Sequence, residues 1–273
     1  MRGVPRSVRT WLTIAIAFAC LAAAGVAVDY YRFCTLHGVS ANIFEGFLLG
    51  SGYRLSSLFH PINACFLICN APFFDGNAAY IIFRSGRKRW YWQSALFVVI
   101  MTLAYYLVVM LSAALVMVPV AYLDNVWSDA MYMLSSPEMA WSYTLNNGIR
   151  YSMGVLEHCS PLSAAAMQCV LMSAYTLVLV MLFYMLSYGG RRLLAFAVPV
   201  ILHGMMFIVY LDGVLAEYSL FTYINIQQWT FTEDAYRLYF FACVAGLSLI
   251  SLAIGSRRAA RTDINNLSSV WLS

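Results

Sequence analysis

The chain contains an uninterrupted run of 34 residues without a charged side chain, from Trp90 to Leu123: WYWQSALFVVIMTLAYYLVVMLSAALVMVPVAYL. A helix needs about 20 predominantly apolar residues to cross the hydrocarbon core of a bilayer. The run is therefore long enough for one tilted transmembrane helix with an interfacial flank, but not for two helices and a turn. Its apolar side chains are continuous rather than alternating, which favours a helix over a membrane β-strand.

The composition of the whole chain points the same way. Of its 273 residues, 62% are hydrophobic and only 10% are charged, whereas soluble domains have about 45–50% and about 25%. Twelve acids and sixteen bases cannot cover a soluble globule of this size. The composition therefore excludes a soluble enzyme, a nucleic-acid binder and a disordered chain, and it indicates a polytopic membrane protein.

Further charge-free runs on both sides of this stretch set the number of spans. The sequence predicts an all-α, polytopic membrane protein, with one transmembrane domain over residues 1–273. Six transmembrane helices are predicted at about 10–28, 55–74, 93–119, 163–187, 193–211 and 238–256.

The basic residues predict the orientation of these spans. Twelve of the sixteen fall in the termini and loops of one side: Arg2, Arg6, Arg9, Arg84, Arg87, Lys88, Arg89, Arg191, Arg192, Arg257, Arg258 and Arg261. Because cytoplasmic loops carry an excess of Lys and Arg, both termini are predicted to be cytoplasmic. The first apolar stretch also resembles a secretory signal, but it is longer than a signal core of about 7–15 residues, so we expect it to be retained as a span.

The cytoplasmic segment 77–92 carries the most specific pattern. Residues 78–84 predict a short amphipathic helix that Gly86 can end, with Tyr80, Phe83 and Arg84 at helical spacing. The basic cluster of Arg87, Lys88 and Arg89 follows. An ordinary positive-inside loop explains this cluster and the tryptophans after it. It does not explain a structured apolar stretch in front of them.

These residues resemble a known family. A Pro-Phe ending of span 2 at residues 72–73, a short helix, the phrase FRSGRKRWYWQ at 83–93 and a long third span are similar to the permease subunits of type-2 ATP-binding-cassette (ABC) exporters. The six spans, the cytoplasmic termini and the hydrophobic outer segment between spans 5 and 6 are similar as well. The resemblance implies that 77–92 is a coupling segment that docks on an ATPase.

Within that segment, Tyr80, Phe83 and Arg84 are the expected docking side chains, because one helix face presents all three to a partner. Arg87, Lys88 and Arg89 are the expected cytoplasmic anchor, nearer the lipid headgroups. The resemblance also implies a path formed with a second permease, in a homodimer or a heterodimer, in the cell membrane. ATP and Mg would be bound by separate ATPase subunits, so this multi-pass chain is expected to be neither an enzyme nor a holder of cofactor or metal. Its substrate stays open.

Two other kinds of function are weighed against the exporter. One is a membrane-embedded enzyme that uses His60, His158 or His203 together with Glu157; the other is a structural or sensory membrane subunit. None of the predicted spans contains a confident Asp or Glu partner for a histidine. Intramembrane ionisable groups mark functional sites by default, which keeps His203 and His60 as candidates.

Two features of the predicted outer loops complete the expectations. Cys34 and Cys159 both lie there, so a disulfide between them and two unrelated thiols are both open. The outer segment 212–237 mixes apolar and polar side chains in a way that suits the membrane interface better than free solvent. Residues near Ser219–Gln228 are therefore predicted to form one or two short helices at the outer membrane face.

Overall fold

The computed structural model describes residues 25–68, 82, 84–136, 151–188, 192–229 and 234–261, and this part of the chain is mostly helical. The helices are α1 (25–37), α2 (Glu45–Gly52), α3 (Arg54–Leu67), α4 (Arg87–Met117), α5 (Asp129–Ser135), α6 (Met153–His158), α7 (Pro161–Ser187), α8 (Arg192–Leu211) and α9 (Asp234–Arg261). Strands β1 (Ala41–Asn42) and β2 (Ala121–Tyr122) pair in parallel. Three 3₁₀ turns follow α8, at Ala216–Tyr218, Thr222–Ile224 and Ile226–Gln228.

Four helices of the described part are long and apolar enough to cross a membrane. They are α4, α7, residues Leu193–Leu211 of α8 and residues Ala235–Arg261 of α9. The fold is thus that of an all-α membrane-embedded protein, and the third to sixth predicted spans overlap these four helices. The first predicted span lies outside the described residues except for 25–28, and the second is described only as far as 68, as α3. The count of six spans and the side of the termini remain predictions.

Helix α7 lies at the centre of the bundle and packs against α2, α3, α4, α8 and α9. In the most apolar 18-residue stretch of α7, 67% is buried inside the protein. The corresponding shares are 39% for α4, 22% for α9 and 17% for α8. Its start is well defined by the sequence, because Pro161 occupies the first helical position and the Ser163 hydroxyl accepts from the backbone N–H of Ser160. The other long helices surround α7.

The outward faces of the surrounding helices are apolar and exposed. Leu96, Ile100, Leu107, Leu111 and Leu115 line one side of α4, and α8 and α9 expose similar rows. Such a surface is unfavourable in water but natural in lipid tails, where a helix has already satisfied its backbone groups. These rows are the faces that we expect to contact lipid or another subunit.

The two ends of the bundle differ in character. At the basic end, the start of α4 meets the last turns of α7 and α9, and Arg87 bonds to the carbonyl of Ala260 in α9. At the opposite end, α2, the strand pair, α5, α6 and the 3₁₀ turns form a second layer, which we call the cap. The cap is bonded to the far end of α7 by hydrogen bonds described below, and it packs on the far end of α4.

A buried short helix replaces part of the predicted loop between spans 1 and 2. In α2, seven of eight residues are buried, from Glu45 to Ser51. A Cβ added at Gly46 would lie 2.7 Å from Cγ of Met117, so the absence of a side chain lets α2 pack directly on the end of α4. The strand pair holds this arrangement in register, with Ala41 opposite Ala121.

The outer segment after α8 is packed rather than extended. Leu220, Phe221, Tyr223, Ile224 and Ile226 are all buried, and the 3₁₀ turns at 222–224 and 226–228 confirm the predicted short helices. Their position at the outer membrane face remains a prediction, because it depends on the orientation of the bundle.

Candidate functional site

Of the predicted coupling segment 77–92, the described residues are 82 and 84–92. Tyr80 and Phe83 lie outside the described residues, so the shared face that we predicted for Tyr80, Phe83 and Arg84 remains a prediction. Arg84 is helical and exposed. The backbone N–H of Gly86 donates to the carbonyl of Ile82 (2.9 Å), and Gly86 itself has φ +82°. Glycine adopts this conformation without steric cost, which explains why the short helical turn ends at Gly86 and α4 begins after it.

The predicted anchor residues Arg87, Lys88 and Arg89 form the exposed first turn of α4. Three positive charges here oppose the helix dipole, whose positive end is at the N-terminus. The cluster therefore does not serve to stabilise α4. Arg87 instead donates from Nη1 to the carbonyl of Ala260 (3.3 Å), in the last turn of α9, where the dipole favours a cation.

A cluster of aromatic side chains lies directly behind the basic residues. The Tyr91 hydroxyl donates to the carbonyl of Leu252 in α9 (3.0 Å), and the Tyr184 hydroxyl of α7 donates to the carbonyl of Tyr91 (3.0 Å). Because the Tyr184 proton is used there, the 2.8 Å contact between the Tyr184 and Tyr188 hydroxyls has Tyr188 as its donor. The start of α4 is thereby attached to α7 and to α9.

Gly255 makes the contact with α9 possible. A Cβ added at Gly255 would overlap the Tyr91 hydroxyl and would lie 3.2 Å from two ring carbons of Tyr91. The side chain of Tyr91 is fully buried and its hydroxyl is held by Leu252, so it has little freedom to move aside. The basic end therefore contains a close, specific junction of α4, α7 and α9.

His203 is the most buried histidine candidate of the sequence, and the structure gives both of its ring nitrogens a partner. Nε2 lies 2.9 Å from the carbonyl of Leu58, and Nδ1 lies 2.7 Å from the Tyr175 hydroxyl. A carbonyl only accepts, so Nε2 carries the proton and Nδ1 accepts from Tyr175. A neutral His203 thus joins α8 to α3 and α7, which is a structural arrangement.

The other histidines lie in different surroundings. His60 is buried on α3, with Nδ1 3.0 Å from the Tyr105 hydroxyl, and its Nε2 has no hydrogen-bond partner in the part of the chain that the structure describes. His158 is exposed at the end of α6 and contacts the carbonyl of Gly154. Within the described part of the chain, no three His, Cys, Asp or Glu side chains are placed to hold a metal ion.

Cys34 and Cys159 are both free thiols, so the possible outer disulfide is not formed. Cys34 is buried on α1, where burial raises the pKa of its thiol to about 12. Cys159 is partly buried after α6, and its carbonyl accepts a hydrogen bond from Nε1 of Trp127 (2.7 Å). The two cysteines therefore lie in separate packing environments, one on α1 and one after α6.

A buried carboxylate in the cap is the feature that the sequence interpretation missed. Glu45, the first residue of α2, has no exposed surface. It accepts four hydrogen bonds: from the Tyr30 hydroxyl (2.7 Å), the Asn42 backbone N–H (2.8 Å), the Ser128 backbone N–H (2.9 Å) and the Ser128 hydroxyl (2.6 Å). These contacts join α1, β1, α2 and α5.

Burial and hydrogen bonding act on Glu45 in opposite directions. Burial raises the pKa of its carboxyl, and the hydrogen bonds from Ser128, Tyr30 and Asn42 lower it, with a net rise above the usual value. The sequence does contain a signal for this residue: Asn42 stands three positions before Glu45, just ahead of the apolar run Phe47–Leu49, which is a typical helix-start pattern.

A second polar contact holds the 3₁₀ turns of the cap to α7. The fully buried amide of Gln168 donates to the carbonyl of Ile224 (3.0 Å) and accepts from the backbone N–H of Ile226 (2.8 Å). Asn225, between them, donates to the carbonyl of Gly52 at the end of α2 (3.1 Å). The cap is therefore one connected layer.

Comparisons with family models, with curated proteins and with solved structures find no match to this chain. Over its described residues, the fold defines a mostly helical protein with four helices able to span a membrane, closed at one end by a packed cap.

Proposed function

We propose that this chain is the membrane-spanning permease subunit of an ATP-driven export system. In this proposal it lies in the cell membrane as a multi-pass protein and forms the translocation path with a second permease. Separate ABC ATPase subunits bind ATP and Mg and supply the energy. The chain itself then catalyses no reaction and holds no cofactor.

The junction at the basic end is the observation that carries the proposal. A docking segment is useful only if its movement reaches the spans, and Tyr91 and Arg87 connect the start of α4 to both α7 and α9. Arg84, immediately before this junction, is exposed and available to a partner. Aromatic and Arg side chains are common anchors of protein interfaces.

The exposed apolar rows on α4, α8 and α9 support the second part of the proposal. Together they offer far more apolar surface than a soluble monomer exposes. In the proposed assembly one of these rows faces the second permease and the others face lipid. The described residues favour no class of cargo over another, and the proposal covers the transport role alone.

Copurification with an ATPase tests this function. The tagged full-length chain is extracted from membranes of its native cells, and the bound proteins are identified by mass spectrometry. We expect an ABC ATPase in the wild-type sample and a several-fold lower yield with the double substitution Phe83→Ala and Arg84→Ala, since truncation of a good interface anchor costs about 2 kcal/mol. The variant should still insert into the membrane.

Arg261→Ala provides the control, because Arg261 is an exposed arginine at the same end but outside the predicted docking segment. It should retain the ATPase at the wild-type level. If the wild-type chain copurifies without any ATPase, the exporter proposal is wrong. If the ATPase is present but Phe83→Ala with Arg84→Ala has no effect on its yield, the docking assignment is wrong and the segment is an ordinary positive-inside loop.

A further inference from the structure

The Glu45 site contains three oxygen atoms that lie within hydrogen-bond distance of one another. The Tyr30 hydroxyl is 2.7 Å and the Ser128 hydroxyl 2.6 Å from Oε2 of Glu45, and the two hydroxyl oxygens are 3.2 Å apart. Each hydroxyl has one proton to donate. When Glu45 is ionised, both protons point to Oε2, and the contact between Tyr30 and Ser128 then contains no hydrogen.

One additional proton completes this triangle. The protonated Oε2 donates a hydrogen bond to the Ser128 hydroxyl oxygen. The Ser128 hydroxyl then donates to the Tyr30 oxygen, and the Tyr30 hydroxyl continues to donate to Oε2. The backbone N–H groups of Asn42 and Ser128 still donate to the carboxyl group in this state. The neutral acid therefore keeps every hydrogen bond of the ionised form or replaces it, and it gains one between Tyr30 and Ser128.

The groups that face Glu45 are themselves acidic or neutral. They include Tyr30 and Cys34 on α1, Tyr122 on β2, and Tyr151, which lies two residues before the start of α6. Asp124 and Asp129 lie near Tyr122 on the same side. Among the described residues, no basic side chain forms an ion pair with Glu45. All four hydrogen bonds at the carboxyl are donated to it by its neighbours.

We propose that Glu45, Tyr30 and Ser128 form a proton-binding site of the cap, in which the bound proton closes a ring of three hydrogen bonds. Proton uptake removes a buried charge that has no cationic partner among the described residues, and it leaves each of these donors and acceptors with a partner. Ser128 also caps α5 by accepting from the N–H of Met131 (3.1 Å), so the site holds α5 in both charge states. The site takes up its proton at a pH above the ordinary range of a glutamate.

Infrared difference spectroscopy tests this proposal directly. The full-length protein, reconstituted in lipid nanodiscs with ¹³C-labelled glutamate, is titrated with acid while the carboxylic-acid C=O band is followed. We expect one glutamic-acid band that titrates above the ordinary glutamate pKa of about 4.3. The band should vanish in Glu45→Gln and persist in Glu157→Gln, whose parent Glu157 is an exposed glutamate of the same cap.

A second pair of variants retains the acid and changes its donors. Tyr30→Phe and Ser128→Ala each remove one hydrogen bond from the ionised carboxyl but two from the closed ring, and they leave a polar group of the proton-bound form without its ring partner. Each should therefore lower the titration midpoint by about one pH unit, or about tenfold in proton affinity. A residue with only a packing role would leave the midpoint unchanged.

These measurements use neither an ATPase nor transport, so their outcome is independent of the proposed function. The proposal is overturned if the band titrates in the ordinary glutamate range, or if it survives Glu45→Gln. It is also overturned if Tyr30→Phe and Ser128→Ala leave the midpoint in place or raise it. Should Glu45→Gln fail to fold, the wild-type midpoint and the two donor variants still decide.

Discussion

The hydroxyl of Tyr91 occupies the space that a side chain at position 255 would need. A Cβ at Gly255 would overlap this hydroxyl, which is simultaneously bonded to the carbonyl of Leu252 one turn earlier on α9. Helices α4 and α9 are therefore in contact at a point where one of them has no side chain, as is typical of close helix packing in membranes.

Gly255→Ala is expected to weaken the basic end. The added methyl group must displace Tyr91 and break its bond to Leu252, at a cost of about 1–3 kcal/mol in the free energy of unfolding. Thermal unfolding in detergent measures the effect. Gly246→Ala is the matched control, since a Cβ at this second glycine of α9 meets no atom within 4 Å. It should be neutral or slightly stabilising.

A double-mutant cycle separates this contact from a general effect on α9. In the Tyr91→Phe background the hydroxyl is gone, and Gly255→Ala should cost distinctly less than in the wild type. Equal costs in the two backgrounds, or a Gly255→Ala protein as stable as Gly246→Ala, would mean that the junction tolerates a larger separation than the structure indicates.

Gln168→Leu is expected to loosen the 3₁₀ turns of the cap. It removes the donor to Ile224 and the acceptor for Ile226, and it leaves two buried backbone groups without partners at about 1–3 kcal/mol each. The variant should be cleaved faster by an added protease within residues 216–228. Gln93→Leu changes an exposed glutamine of α4 and should not alter the cleavage. If Gln168→Leu and Gln93→Leu are cleaved at the same rate, Gln168 does not hold the 3₁₀ turns in place.

The stability of the protein should depend on pH through Glu45. Burial raises the folded pKa of this carboxyl above its unfolded value. Its favourable contribution is then fully present below the unfolded pKa and is lost as the pH rises through the folded pKa, at about 1.4 kcal/mol for each unit of difference.

Unfolding midpoints measured in detergent from about pH 4 to pH 8 check this expectation. The wild type should lose stability across that window. Glu45→Gln should be less stable at the acid end, because its amide NH₂ faces the N–H of Asn42, but it should lack this slope. Glu157→Gln should retain the slope, and a wild type that becomes more stable with rising pH would show that the sign is wrong.

Cysteine labelling in intact cells tests the orientation. The positive-inside pattern predicts that Ser85→Cys is protected from an impermeant reagent and that Asn147→Cys is labelled. Asn147 lies outside the described residues, so its accessibility is predicted from the sequence alone. Labelling of Ser85→Cys from outside, or protection of Asn147→Cys in intact but not in opened cells, would reverse the predicted orientation.

The long helices could be predicted from the sequence because a charge-free run of bilayer length has few alternatives. The short helices near Ser219–Gln228 could be predicted from their mixture of apolar and polar residues. Glu45 was missed for a physical reason: it follows the predicted span 1, where a lone acid is normally solvated, and only the contacts from Tyr30 and Ser128 bury it. Those partners come from segments 15 and 83 residues away along the chain, and hydrophobic patterns carry no information on such pairs.

Helix α7 has no glycine and no proline after its first residue, and it carries Gln168 near the cap and Tyr184 near the basic end. These two side chains are about 24 Å apart along one stiff rod, at 1.5 Å per residue. A sliding or tilting of α7 that begins at the tyrosine junction must therefore displace Gln168, and with it the backbone of Ile224 and Ile226, by a comparable amount. The two ends of the bundle are therefore linked by one stiff helix, and an axial movement of α7 at one end is transmitted to the other.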